Sequence, residues 1–293
     1  METIGTNVVW SLFDDDAKPR RAKNGEVRGG PGHTVGSYAT LARRIAQLQF
    51  MNPQYVQLFR GQNRDHANRS GNTALKPSLL RSARGNVTPP SLLTLVARFR
   101  ALRLAEAELV RTFEMRELPG REKLARHRIL RWAILQHYGI CDTPLLDVSQ
   151  SLRIAASFAS EGAQGEAFVY VLAVPNISGV VTASAEAGVQ CVRLSGICPP
   201  EAVRPHIQEG YLLGEYPDMP DLEQKERYAP YEIDFGRRLI GKFRLDLATF
   251  WNDVNFPRVA HAALYPDGDD PLFTIMQEIG AKLESSRFRN ATT

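Results

Sequence analysis

The sequence predicts an α+β fold, and three observations carry that reading. Helical and strand-like segments follow one another in mixed order, without the strict alternation that builds a doubly wound parallel sheet. GEAFVYVLAVP, residues 165–175, is apolar on both faces, as befits a central strand covered on both sides. Residues 91–118 and 122–136 carry helical periodicity and read as an inserted pair of helices. With 293 residues the chain can bury a substantial core, and its 43% hydrophobic and 23% charged content is that of an ordinary globular protein. The formal net charge of +4 permits an anionic partner without demanding one.

The elements follow in order. Residues 14–33, DDDAKPRRAKNGEVRGGPGH, are charged and Gly-rich with no apolar period, so residues 1–35 are expected to form a flexible arm ahead of a single domain at 36–285. A basic arm of this kind could touch nucleic acid; a solvated tail is the simpler reading. From Ser37 the pattern turns helical, with Leu41, Ile45 and Leu48 on one stripe. In YVQLFRGQ, Val56, Leu58 and Arg60 share the inward parity of a strand. Gly139 closes the helix that carries Trp132 and Gln136. TPLLDVS reads as a short strand, and Ser149 or Ser151 caps the Ala-rich helix after it. Residues 178–194 suggest further strands, and the tail from about 245 to 285 returns to helix around ALYPDGDDP.

Several function classes lack local support. No P-loop, G-x-G-x-x-G turn, H-E-x-x-H helix or G-x-S-x-G elbow is present. The six histidines, at 33, 66, 127, 137, 206 and 261, show no metal spacing, and PDGDDP reads as a solvated turn before it reads as a cation loop. Cys141, Cys191 and Cys198 are too irregular for a disulfide framework, which with the lack of a signal-peptide pattern predicts a cytoplasmic setting. No run reaches the roughly 18 apolar residues of a membrane span, so no membrane partner is expected.

Three positions invite chemistry, each with a plainer alternative. An inward Arg60 needs an acidic partner or an anion; the plain reading is a salt bridge, for instance to Asp147. Gly61 beside it removes side-chain bulk, letting backbone or ligand come close. His137 ends a helix, where a cationic imidazole is favoured, so it caps or it meets a ligand. Tyr138 packs in the core or stacks on a flat ring with its hydroxyl free. Asp147 is expected to accept backbone N–H groups of the HYG turn.

These residues resemble the FRG domain family, named for a Phe-Arg-Gly motif. FRGQ at 59–62 matches its signature, LKPSLLR at 75–81 and QHYG at 136–139 its next segments, and TPLLDVSQSLRIAASFA its central strand and helix. RPHIQEGYLL at 204–213 and ALYPDGDD are similar to its later elements, so the resemblance spans about 55 to 275. ICDTP, between HYG and LLD, is one residue longer than the family pattern and lacks its Pro-Thr-Arg. More distantly, the order of motifs resembles that of ADP-ribosyltransferases. That resemblance implies a mixed, largely antiparallel β core, as two small sheets around a cleft, with an inserted helical segment and C-terminal helices. It implies NAD as cofactor, with Arg60, Tyr138, Ser149 and Gln208 in the catalytic places. Arg60, Gly61, Gln62, His137, Tyr138 and Ser151 would hold the cofactor, with no metal. Gln208 stands where many relatives carry Glu, and a neutral amide cannot act as a base.

The reading favoured by the resemblance is an NAD-dependent enzyme modifying a macromolecular target, protein or nucleic acid, as a toxin or defence factor. A non-catalytic module binding phosphate or nucleic acid is the alternative, and a hydrolase using His137 and Asp147 a third. Geometry separates the first two. The enzyme needs Arg60, Tyr138, Ser149 and Gln208 on one concave site, whereas the module pairs Arg60 internally and presents an open basic face.

Overall fold

The computed structural model describes residues 8–14, 18–81, 90–218 and 233–291, with side chains described as far as Ser285. The doubly apolar segment forms strand β6 (Glu166–Val174), buried at every residue after Glu166. Both its edges are paired antiparallel, to β4 (Val56–Gln62) and to β10 (Leu239–Asp246). The eight-stranded sheet runs β3 (His33–Val35), β10, β6, β4, β5 (Leu146–Ser149), β9 (Gly210–Glu215), β8 (Val189–Arg193) and β7 (Val181–Ser184). The pairing of β3 with β10 is parallel and the others are antiparallel. The fold is the mixed α+β class expected. Between β4 and β5 the pairing is a single bridge, Phe59 to Ser149. The described strands thus form one eight-stranded sheet, joined at this narrow seam between two four-stranded halves, where two separate small sheets were expected.

Strand parity feeds two cores. On one face Val169, Val171 and Ala173 meet Leu41 and Leu48 of α2 (Tyr38–Met51) and the alanines of α6 (Leu152–Ala159). On the other, Leu58, Tyr170 and Leu172 pack with Phe99 of α3 (Leu92–Met115), Trp132 of α5 (Arg128–His137) and Met276 of α9 (Pro271–Ala291). Each fully buried Leu or Phe here contributes roughly 2 kcal/mol. Ser37 and Ser151 accept N–H groups of the first turns of α2 and α6, so of the two caps offered for α6 the structure takes Ser151.

Three expectations are corrected. The described part of the expected N-terminal arm is folded into the domain. β1 (Val8–Ser11) pairs with β2 (Arg20–Lys23), and α1 (Asn24–Gly29) and β3 follow. Its anchors lie far along the chain: Asn24 donates to the Gly236 and Leu239 carbonyls, and Arg28 forms an ion pair with Asp234 at 2.6 Å. Residues 1–7 and 15–17 of that arm lie outside the described residues. Second, the helix expected at 122–136 is broken into α4 (Arg121–Arg126) and α5 by an extended His127. Arg131 compensates the break by donating to the freed Leu124 and Ala125 carbonyls, each at 2.9 Å. Third, β10 was not foreseen, and the helical tail begins later than 245: residues 247–260 are irregular, ahead of short α8 (His261–Leu264) and long α9. The strand pattern of β10 is masked by Lys242, whose ammonium is buried against Asp65 at 2.7 Å.

Candidate ligand cavity at the sheet seam

Beyond the Phe59–Ser149 bridge β4 and β5 are no longer paired, and a cavity of about 620 Å³ lies at this seam. That is within the usual size of a small-molecule site. Its walls include Arg60 and Gln62 of β4, the C-terminal end of α5, Asp147 and Ser149 of β5, and Gln208 after α7 (Arg204–Ile207). A second cavity of about 760 Å³, near Pro199 and Val180, lacks the feature that marks the first. At the seam four enclosed polar atoms have no hydrogen-bond partner among the described residues: Arg60 Nε, Gln62 Oε1, His137 Nε2 and Arg204 Nε. All four belong to residues that line one cavity, and enclosed polar atoms without a partner require an explanation, a polar ligand being one.

Arg60 points where strand parity sends it. One guanidinium nitrogen donates to the backbone carbonyl of Asp147 at 2.5 Å, and among the described residues it forms no ion pair. Burial, and then the nearby Arg81 charge, lower its pKa to about 10, so at neutral pH it remains a desolvated cation. The salt bridge to Asp147 does not form, because that carboxylate takes the Gln136 amide at 2.7 Å instead. The same bond replaces the backbone N–H donors expected for Asp147. Gln136 has no freedom to turn, since its carbonyl oxygen accepts from Thr143 and Ser78 hydroxyls.

Of the two close approaches expected at Gly61, by backbone or by ligand, the structure shows the first. A Cβ there would sit 1.9 Å from the Ala155 carbonyl oxygen and 2.6 Å from the Ala159 nitrogen. The missing side chain admits the backbone of α6.

The expected cationic cap at His137 is overturned. Burial, reinforced by the Arg204 charge, depresses its pKa to about 3, so the ring is neutral. A histidine depressed in the folded state stabilises above its unfolded value near 6.5, and that stability is lost as pH falls from there towards 3. His137→Leu should therefore flatten the loss of thermal stability between about pH 6 and pH 4. A melting profile as steep as that of the parent protein counts against a neutral His137.

Tyr138 lines the cavity but takes the core role: it is 3% exposed and its hydroxyl donates to Asp270 at 2.9 Å, so it is not free. Ser149 donates to the Gln208 carbonyl at 2.8 Å and accepts the Ser151 N–H at 3.0 Å, which makes it a joint between β5 and the turn before β9. Ser151 caps α6. Gln208 is not on a strand; it follows α7, and its amide donates to the Leu264 carbonyl at 2.6 Å. Glu209, with φ of 44°, is exposed and outside the lining. All four expected catalytic residues thus line one cavity, although three have their polar groups engaged by protein.

Residues 56–167 match the FRG domain. The match opens at the first residue of β4 and closes within β6, so Arg60, His137, Tyr138, Asp147 and Ser149 belong to the FRG segment. Neither among curated proteins nor among solved structures is there a match to the chain. No helix among the described residues is long and apolar enough to cross a membrane.

Residues beyond the FRG segment complete and brace the cavity, and two escaped the sequence reading: Arg204 in its wall, and Asp270, which holds Tyr138 and Arg204. Arg204 is buried between the rings of Tyr138, Tyr265 and Phe273, at 5.7, 4.8 and 5.5 Å, and pairs with Asp267 at 3.3 Å. Asp270 is 2% exposed, accepting the Tyr138 hydroxyl and the Arg204 backbone N–H, each at 2.9 Å. Residues 267–269 of PDGDDP are exposed, as a solvated turn requires, but its last carboxylate, Asp270, is buried and clamps α7 to the HYG turn. Asp270 was legible as a helix cap, because Asp-Pro opening an apolar helical run is a start signal. Its partners were not.

Proposed function

We propose that the seam cavity binds NAD and that the protein is an ADP-ribosyltransferase-like enzyme acting on a macromolecular target. The observation that carries this reading is the desolvated Arg60 guanidinium facing a cavity of dinucleotide size with no carboxylate partner among the described residues. The orphaned atoms fit the group. Arg60 and Arg204 offer donors for pyrophosphate or ribose oxygens, and Gln62 Oε1 an acceptor for a ribose hydroxyl. NAD supplies a ribose whose bond to nicotinamide is ready to break. The chain's own part is to hold that ribose, keep water from it and set charge beside it.

Incubation with labelled NAD and cell lysate tests the reading. Nicotinamide release or label transfer is expected, reduced at least about 100-fold in Arg60→Ala, since a buried charge contact to the ligand is lost. The variant should remain folded, because it removes a desolvated cation satisfied by one carbonyl alone. Folded parent protein that yields neither product rules the enzyme out. ADP-ribose binding without turnover would then favour the non-catalytic phosphate-binding module, a reading consistent with the engaged hydroxyls of Tyr138 and Ser149.

A further inference from the structure

Two carboxylates line the cavity, and their surroundings differ. Glu161 forms an ion pair with Arg258, and His261 Nδ1 lies 3.1 Å from its carboxylate. Asp147 forms no ion pair among the described residues; its one side-chain partner is the neutral Gln136 amide, which the Thr143 and Ser78 hydroxyls hold in place. Arg60 and Arg81 are close enough to act on its charge, yet Arg60 spends its hydrogen bond on the Asp147 backbone, and Arg81 on the Lys76 carbonyl. Tyr265 faces it from the segment after α8. Gln208, the residue that the distant resemblance puts in the carboxylate place, carries no charge and is tied to Leu264.

We infer that Asp147 is the acid–base carboxylate of the cavity, serving a ligand that joins an anionic group, held by Arg60, to a ribose whose substituent departs. This rests on the NAD reading above. Asp147 stands against the positive charge that grows on the ribosyl carbon as its bond to nicotinamide breaks and the electron pair leaves on the ring nitrogen. It then takes the proton of the hydroxyl or water that bonds to that carbon, so that charge and protons balance. Burial raises the Asp147 pKa, against the opposing pull of Arg60 and Gln136, which suits a carboxyl that must accept and return a proton.

The test compares the parent protein with Asp147→Asn for nicotinamide release from NAD and, separately, for ADP-ribose binding across pH. Asn keeps the shape and the Gln136 contact. Release should fall about 100-fold or more while ADP-ribose affinity changes less than about 10-fold, and the acid limb of the kcat/KM profile should vanish. Release within about 10-fold of the parent, or an unchanged acid limb, overturns the inference. Should the parent bind ADP-ribose without turnover, the NAD-cleavage reading fails alone. Asp147 is then judged by binding: parent affinity should weaken as the carboxyl ionises with rising pH, and Asp147→Asn should abolish that trend. A trend that survives the substitution overturns Asp147 as a ligand-facing group, and absence of any binding overturns both proposals. If Asp147→Asn does not fold, Asp147→Glu replaces it: retained release with a shifted acid limb supports the role, and an unshifted limb overturns it.

Discussion

Gly61→Ala should destabilise the protein by about 3 kcal/mol or more, a drop of roughly 6–12 °C in Tm for a chain of this size. The added carbon would lie 1.9 Å from the Ala155 carbonyl oxygen, 2.6 Å from the Ala159 nitrogen and 2.9 Å from the Ala155 carbonyl carbon. These are backbone atoms in the middle of a hydrogen-bonded helix, so no rotamer change relieves the clash. Either α6 lifts from β4 or β4 bends into the seam. Both movements disturb the cavity wall, so ligand binding should weaken along with stability. Gly25→Ala is the control. Its Cβ meets nothing within 4 Å and it lies inside α1, where Ala gains up to about 1 kcal/mol. Thermal melts of the two variants decide the matter. Equal, small shifts would mean that the close approach of α6 to Gly61 does not exist in solution.

Asp270→Ala should cost about 3–5 kcal/mol, the sum of a lost helix cap and two buried donors left without an acceptor. One carboxylate oxygen accepts the Tyr138 hydroxyl and the Arg204 backbone N–H, and the other accepts Phe273 N–H in the first turn of α9. The residue thus ties the HYG turn, α7 and α9 together. Asp270→Asn keeps one acceptor and should cost less, so the melting temperatures should fall in the order parent, Asn, Ala. Loss of the clamp also frees the Tyr138 ring and the Arg204 backbone at the cavity wall. Tyrosine fluorescence is too crowded to report this, but hydrogen exchange at residues 137–139 and 204–208 should accelerate. Parent-like exchange and stability in Asp270→Ala would show that the turn is held by something else.

The parts of this fold that were legible are those whose cause is local. α2 announces itself by the Leu41, Ile45 and Leu48 stripe behind Ser37, and β6 by nine residues with almost no polar break. The cap at Ser151 and the inward aim of Arg60 follow from one turn of helix and one period of strand. What failed had a distant cause. Residues 20–35 look like a solvated arm because their apolar content is thin, yet Asn24 and Arg28 are satisfied by groups more than 200 positions away. Lys242 hides a central strand until Asp65 and Thr73 are seen to satisfy its ammonium. Gly61 shows how a local reading can leave two causes open. A close approach was foreseen, but whether helix or ligand made it could not be known from FRGQ alone.

From the sequence alone came the chemistry carried to the seam: an arginine of inward parity, an imidazole and a tyrosine at a helix end, and an aspartate in an apolar strand. Periodicity and capping determine such placements within a few residues of chain. Only the tertiary structure decided which of these groups are spent on the protein itself. Tyr138, Ser149 and Gln208 found partners from remote segments, whereas Arg60 Nε, Gln62 Oε1 and His137 Nε2 found none. The reason is that a hydrogen bond between residues 56 to 132 positions apart depends on how distant segments meet around the sheet, and local sequence carries no record of that meeting.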